Sequence, residues 1–125
     1  MSNDGPTSLG RRLVNAYNER DYATLTELFE AGATWHSASG NQVGRTAILA
    51  SLQTVDERSG GTFHEEPHDV LASAEHVVLL SRASGRRGDR TIDDPEVVVF
   101  HIRDGRVSEA WSHPFDQGAR SSFWR

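Results

Sequence analysis

Apolar residues recur at helical spacing in the first half of the chain and at strand spacing in the second. Leu9, Leu13, Ala16 and Tyr17 stand three and four residues apart and make one helical stripe. Thr7 or Ser8 is placed to cap it. Asp21 opens a second, shorter helix with Tyr22, Leu25, Leu28 and Phe29 facing inward, and Gly32 suits its end. A third helix is predicted from about Thr46 to Glu57, carrying Ile48, Leu49, Leu52 and Val55 and closing at Gly60-Gly61. Ala33–Ser37, between the second and third, is too short for a helix and reads as a strand. Four longer strands follow, at about Thr62–Ser73, His76–Ser84, Thr91–Arg103 and Val107–Asp116. Asp104-Gly105 is a two-residue hairpin turn, and Ser84–Asp89 reads as a longer hairpin loop.

Helices first and hairpin-linked strands afterwards define an α+β fold with a mainly antiparallel sheet. Val77–Leu80 and Val97–Phe100 are apolar on both faces, whereas a sheet with one wet face alternates. Three helices cover one face. A second copy of the chain is the simplest cover for the other, so a homodimer is expected.

Composition narrows the chemistry. At 125 residues the chain has the size of one domain, with residues 1–7 expected as a flexible tail. It holds no cysteine, which excludes thiolate nucleophiles, disulfides and the usual structural zinc sites. All 13 basic residues are arginine, so Schiff-base lysine and P-loop chemistry are excluded as well. A net charge of -5 argues against nucleic-acid binding by a general field. The first residues lack the basic and apolar regions of a signal peptide, and no apolar run approaches the ~18–20 residues that span a bilayer. No membrane association is expected, and the expected location is cytoplasmic.

Four segments carry a family likeness: Leu13–Asp21 (LVNAYNERD), Leu28–His36 (LFEAGATWH), Val97–Val107 (VVVFHIRDGRV) and Glu109–Trp124 (EAWSHPFDQGARSSFW). In this order and spacing, and with Gly44 ahead of the third helix, the chain resembles the nuclear transport factor 2-like superfamily in its SnoaL-like branch. The resemblance implies a cone-shaped α+β barrel, in which a strongly curved sheet wraps around helices and encloses an apolar pocket, and often a dimer. It also implies a choice of functions, because the superfamily holds polyketide cyclases, ketosteroid isomerases, epoxide hydrolases, dehydratases and proteins without catalysis. The positions matching the isomerase tyrosine and two aspartic acids hold Leu13, Ser37 and Val98. Those matching the epoxide hydrolases' central Arg/Asp pair hold Ser81 and Ala83, their last-strand aspartate falls at His113, and their pocket Tyr and Asn fall at Trp35 and Ser37. The cyclases place an acidic acid/base residue near the end of the sheet, where His113 or Asp116 could substitute for it.

His113 is the leading titratable candidate, because imidazole works as acid or base near neutral pH. Alternation puts it on one face with Trp111 and Phe115. Its other reading is a structural histidine hydrogen-bonded to Asp116 or to a helix, with no substrate contact. Trp35 and Ser37 share the parity of a pocket-facing strand, and Tyr17 is placed to offer its hydroxyl to the cavity. Asp93-Asp94 suits a turn. His64-Glu65-Glu66-Pro67-His68 matches a zinc-protease pattern as text, but Pro67 disfavours the helix that would bring both histidines to one metal. It reads as a strand with polar residues facing water or a partner chain.

The sequence thus predicts a SnoaL-like protein that binds a small hydrophobic molecule. If it is an enzyme, it is a cofactor-free isomerase, cyclase or dehydratase acting by proton transfer on a polyketide-like or cyclic carbonyl compound. His113 is then the acid/base, and Trp35, Ser37, Tyr17, Trp111, Phe115 and Asp116 surround the substrate. No metal or cofactor is implied. The alternative is a non-catalytic ligand-binding or dimerisation module of the same fold.

Overall fold

The computed structural model describes residues 5–125. The elements run α1 (Pro6–Asn18), α2 (Tyr22–Leu28), β1 (Phe29–Ser37), β2 (Gly40–Val43), α3 (Arg45–Arg58), β3 (His64–Ala72), β4 (His76–Arg87), β5 (Arg90–Arg103), β6 (Arg106–Pro114) and α4 (Gln117–Trp124). The strands form one curved, unclosed sheet in the order β2-β1-β6-β5-β4-β3. Every neighbouring pair is antiparallel except β1 with β6, which are parallel. This is the α+β cone that the sequence predicts.

Local chemistry corrects several boundaries. Pro6 takes the first turn of α1 behind Gly5, since its missing N–H costs nothing there, and Thr7 and Ser8 lie inside the helix rather than capping it. Of the expected tail, residues 1–4 lie outside the described residues, and Pro6 and Thr7 are helical. Asp21 caps α2 by accepting from the Thr24 amide at 3.1 Å. The chain passes directly from Leu28 into β1, so Gly32 sits in a strand and ends no helix. The β4–β5 hairpin is tighter than expected, with Arg87 paired to Arg90 across Gly88-Asp89. Hairpin strand β2 and helix α4 are additions that periodicity did not predict. No helix among the described residues is long and apolar enough to cross a membrane.

The core lies between the helices and the inner face of the sheet. Leu13, Leu25 and Ile48 meet Leu79, Val98 and Phe100 there. α1 approaches the sheet most closely at Gly10, where a Cβ would stand 2.7 Å from Val77 Cγ1 and 3.0 Å from Val70 Cγ1. Alanine would gain about 1 kcal/mol in helix propensity. Forcing a methyl into packed side chains costs about 1–3 kcal/mol. Gly10→Ala will therefore be neutral to destabilising by up to about 2 kcal/mol in urea unfolding. A clear gain in stability would show that α1 can retreat from the sheet.

Two bulges decide which residues face inward. The β5–β6 register slips by one at Ser108: His101 pairs with Glu109, but Ile102 pairs with Val107. Val107 is buried ahead of the slip and Ala110 after it. The inward set then continues through Ser112 and Pro114, so Trp111 and His113 face outward. In β3 the register slips at His68, which leaves Phe63 and Glu65 inward before it and Val70 inward after it. A single inserted residue reverses the facing of every residue beyond it.

Candidate active site

A cavity of about 560 Å³ lies between the helices and the inner sheet face. Small-molecule sites fall in this size range. Its walls are mostly apolar, with Leu13, Leu25, Phe29, Ile48, Val98 and Phe100 among them. Trp35 packs edge-on against Phe100, with ring centroids 5.8 Å apart, and its Nε1 donates to Ser112 Oγ at 3.0 Å. Ser37, on the same strand face, lines the cavity beside Ser39 and Gln42 and donates to the Gly40 carbonyl at 2.9 Å. Tyr17 of α1 also borders the cavity.

The chemistry is concentrated at one end, where four charged or ionisable side chains are buried together. β3 supplies Glu65, β5 supplies Asp94 and Glu96, and α4 supplies Arg120. The β4 register explains their meeting: Ala83 lies between Glu65 and Asp94, and Ser81 lies opposite Glu96. Small residues on β4 leave room for acids from both neighbouring strands. Ser81 Oγ donates to Glu65 Oε1 at 2.8 Å. The Glu65 backbone is fixed by Asn18, which accepts from its amide at 3.0 Å and donates to its carbonyl at 2.7 Å. Arg120 spans the two β5 carboxylates, at 2.6 Å from Glu96 Oε1 and 3.1 Å from Asp94 Oδ1. Its guanidinium lies 5.4 Å from the centre of the Phe63 ring.

The carboxyls of Glu65 and Glu96 are hydrogen-bonding neighbours. Burial, and then the adjacent charge of Glu96, hold the Glu65 carboxyl well above the ordinary carboxylate range; the Ser81 hydrogen bond and Arg120 oppose this only in part. The guanidinium is paired with Glu96 and not with Glu65, so Glu65 is the carboxyl of the pair that favours its neutral form. Two carboxyls, one held by a guanidinium and one not, thus stand together in the wall of a mostly apolar cavity. Burial also pushes the Tyr17 phenol far up, against the pull of Arg20 and with a further push from Glu65, so Tyr17 stays a neutral hydrogen-bond donor.

The structure divides the residues singled out from the sequence. Trp35, Ser37 and Tyr17 are brought to the cavity. Trp111, His113 and Phe115 are not. The bulge at Ser108 turns Trp111 onto the outer face, where it stacks on His36 with ring centroids 5.5 Å apart, and it leaves His113 exposed. Phe115 follows the strand and is 83% exposed. Asp116 is the N-cap of α4, accepting from the Ala119 amide at 2.9 Å, and does not line the cavity. Asp94 is buried against Arg120 rather than serving a turn. The HEEPH segment is a strand, as its proline predicts, but Glu65 faces the interior rather than water or a partner chain.

Glu65, Glu96 and Arg120 were missed by sequence reasoning. A signal was available for the two acids. Glu96 continues the inward row of Ile92, Asp94, Val98, Phe100 and Ile102 at strict two-residue spacing, and Glu65 stands two residues after buried Phe63. For Arg120 there was none, because α4 itself was not predicted.

Comparison with known proteins agrees with this architecture. Residues 10–110 match the SnoaL-like domain family, and the chain belongs to it. It is 34% identical to Bal32a, from a soil-derived mobile gene cassette, with a TM-score of 0.92 over 98% of this chain and 100% of that one. A protein of unknown function with a cystatin-like fold from Xanthomonas campestris is 25% identical, with a TM-score of 0.89 over 96% of this chain and 98% of that one. IdmH of Streptomyces antibioticus, described as a candidate polyketide cyclase, shares the fold at 19% identity and a TM-score of 0.78, over 93% of this chain and 96% of that one. An uncharacterised protein of Mycobacterium tuberculosis is 25% identical, over 99% of both chains.

Proposed function

We propose that the protein binds an uncharged, largely apolar small molecule and moves a proton on it without a cofactor. The observation that carries this reading is the buried Glu65–Glu96 pair in the wall of a mostly apolar cavity. Glu96 takes a proton from carbon next to a substrate carbonyl, and the electron pair moves onto the carbonyl oxygen. The neutral Tyr17 hydroxyl supplies a hydrogen bond to that developing oxyanion. Glu65 then gives its proton either to another carbon of the enolate, completing an isomerisation, or to a departing β-hydroxyl, which leaves as water. The proton gained by Glu96 passes to Glu65 through their shared hydrogen bond and restores the pair. Membership of the SnoaL-like family and the fold shared with a candidate polyketide cyclase favour a cyclic or polyketide-like carbonyl compound as substrate.

An apolar probe gives a direct test, because most of the cavity wall is apolar. Neutral N-phenyl-1-naphthylamine will bind saturably with a rise in fluorescence. Ser51→Trp, which fills the cavity from α3, will abolish that signal. A wild type without saturable binding of the neutral probe overturns the reading.

A homodimer through the outer sheet face is proposed alongside it. Val78, Val99 and Trp111 stand in register there, each half-buried, with Leu80 and Val97 in the next row. A contiguous apolar patch of this kind marks an interaction surface. Sedimentation at micromolar concentration will show a dimer, and Trp111→Glu will give a monomer. A monomeric wild type refutes the assignment.

A further inference from the structure

Helix α4 closes one end of the cavity with Arg120, Ser121 and Trp124, and it is held from two sides. On the inside, Arg120 grips Glu96 and Asp94. On the outside, three arginines from other elements hold its last carbonyls. Arg87 donates to the Phe123 carbonyl at 2.7 Å and to that of Arg125 at 3.1 Å, Arg58 of α3 donates to Trp124, and Arg90 donates to Arg125. The Trp124 ring lies 5.3 Å from the Arg58 guanidinium and 5.7 Å from that of Arg87. Between the two grips Phe123 is buried, its ring centre 6.4 Å from that of Phe63, over a Gly85 whose Cβ would stand 3.4 Å from the Phe123 ring.

Both grips are reversible. In the outer one the bonds to Trp124 and Arg125 are exposed, where water competes for the carbonyls, and only that to Phe123 is partly buried; it also gathers three like charges. Partial burial and the neighbouring Arg58 and Arg90 push the Arg87 guanidinium below its ordinary value. The inner grip rests on a single side chain, Arg120, shared between two carboxylates. The helix is eight residues long, well under the ~12–15 at which an isolated helix becomes even marginal in water. Off the body of the protein it does not persist as a helix.

We propose that α4 is a releasable cover that carries Arg120 into and out of the carboxyl cluster, so that closing the cavity and arming the acid–base pair are one event. Arg120 is a positioning residue that acts through Glu96. This rests on the reading of Glu65 and Glu96 as the working pair. With α4 docked, water is expelled and the guanidinium faces Glu96. With α4 released, ligand enters, and Glu65 and Glu96 stand near Tyr17 of α1 without the guanidinium of Arg120.

Two measurements test this. Amide exchange of α4 in the wild type, compared with that of β5 in the same sample, will proceed by a local opening faster than β5 exchange. Arg87→Gln touches no carboxyl and will speed α4 exchange alone, while Arg86→Gln, a charge control on the same hairpin, will not. In stopped flow, N-phenyl-1-naphthylamine will enter Arg87→Gln at least about fivefold faster than wild type, since losing even one modest hydrogen bond has that effect and Arg87 makes two at the C-terminal end of α4. Arg120→Gln, which removes the inner grip, will also speed entry, and Arg120→Lys, which keeps the charge, will lie between it and wild type; the lysine variant replaces the glutamine one if that does not fold. Exchange of α4 only together with β5 overturns the proposal, with or without a probe, and so does an entry rate that neither Arg87→Gln nor the Arg120 variant changes. Failure of the neutral probe to bind wild type counts against the underlying reading of the cavity; the exchange measurement still decides whether α4 opens.

Discussion

Arg120→Leu will destabilise the protein by about 3–5 kcal/mol at neutral pH, the range for removing one partner of a buried ion pair. The side chains of Arg120, Asp94 and Glu96 are 15%, 11% and 6% exposed, so water cannot replace the lost cation. The leucine fills much of the volume and keeps contact with Phe63, which leaves the two uncompensated carboxylates as the dominant cost. The pH dependence identifies the cause. In the variant the folded state gains protons relative to the unfolded chain, so stability falls as pH rises through the carboxylate range. The gap to wild type will be narrow in acid and widest near neutrality. Urea unfolding at several pH values measures it. A gap independent of pH would assign the loss to packing.

Glu65→Gln will separate stability from activity. Glutamine reproduces the protonated acid in shape: its carbonyl oxygen accepts from Ser81, and its amide N–H donates to Glu96. Because the Glu65 carboxyl is raised above its ordinary value, the wild type has its full stability below that value and loses it as pH rises through the folded-state titration. The variant carries no such loss. It will match wild type in acid and exceed it at higher pH. It cannot deliver a proton, and turnover of a substrate will fall by about 10²–10⁴-fold, the usual contribution of a general acid. A variant that gains stability and loses activity marks a group kept for chemistry at the expense of folding. Unchanged turnover would move the acid role elsewhere in the cavity.

The fold was legible in the sequence because its elements obey local rules. The Asp21 cap, the Gly60-Gly61 stop, the Asp104-Gly105 turn and the apolar periods of α1 and α3 depend on near neighbours only. The site was legible in part. Trp35, Ser37 and Tyr17 lie on elements whose facing follows simple periodicity. His113 misled because its facing depends on the extra residue at Ser108, and such a bulge shows only when two strands are set in register. Acids on an inward strand face also run against the rule that charged residues seek water. They are tolerated only because Arg120 arrives from a helix more than 20 residues farther along the chain. Strict alternation from Ile92 to Ile102 was the better guide, and it placed Asp94 and Glu96 among apolar neighbours.

The open sheet has one further consequence, for solubility. β3 pairs only with β4; on its other edge the Asn18 side chain covers the Glu65 amide and carbonyl, and beyond Glu65 another chain could extend the sheet. Proteins commonly guard such an edge with lysine, and this chain has none. The guard here is Pro67, which lacks an N–H, together with the kink at His68 and the exposed Glu66 and Asp69. Half of that guard is negative charge, which salt screens. Edge-to-edge association should therefore rise with ionic strength, and Pro67 and the His68 kink become the main obstacles to chain-on-chain stacking.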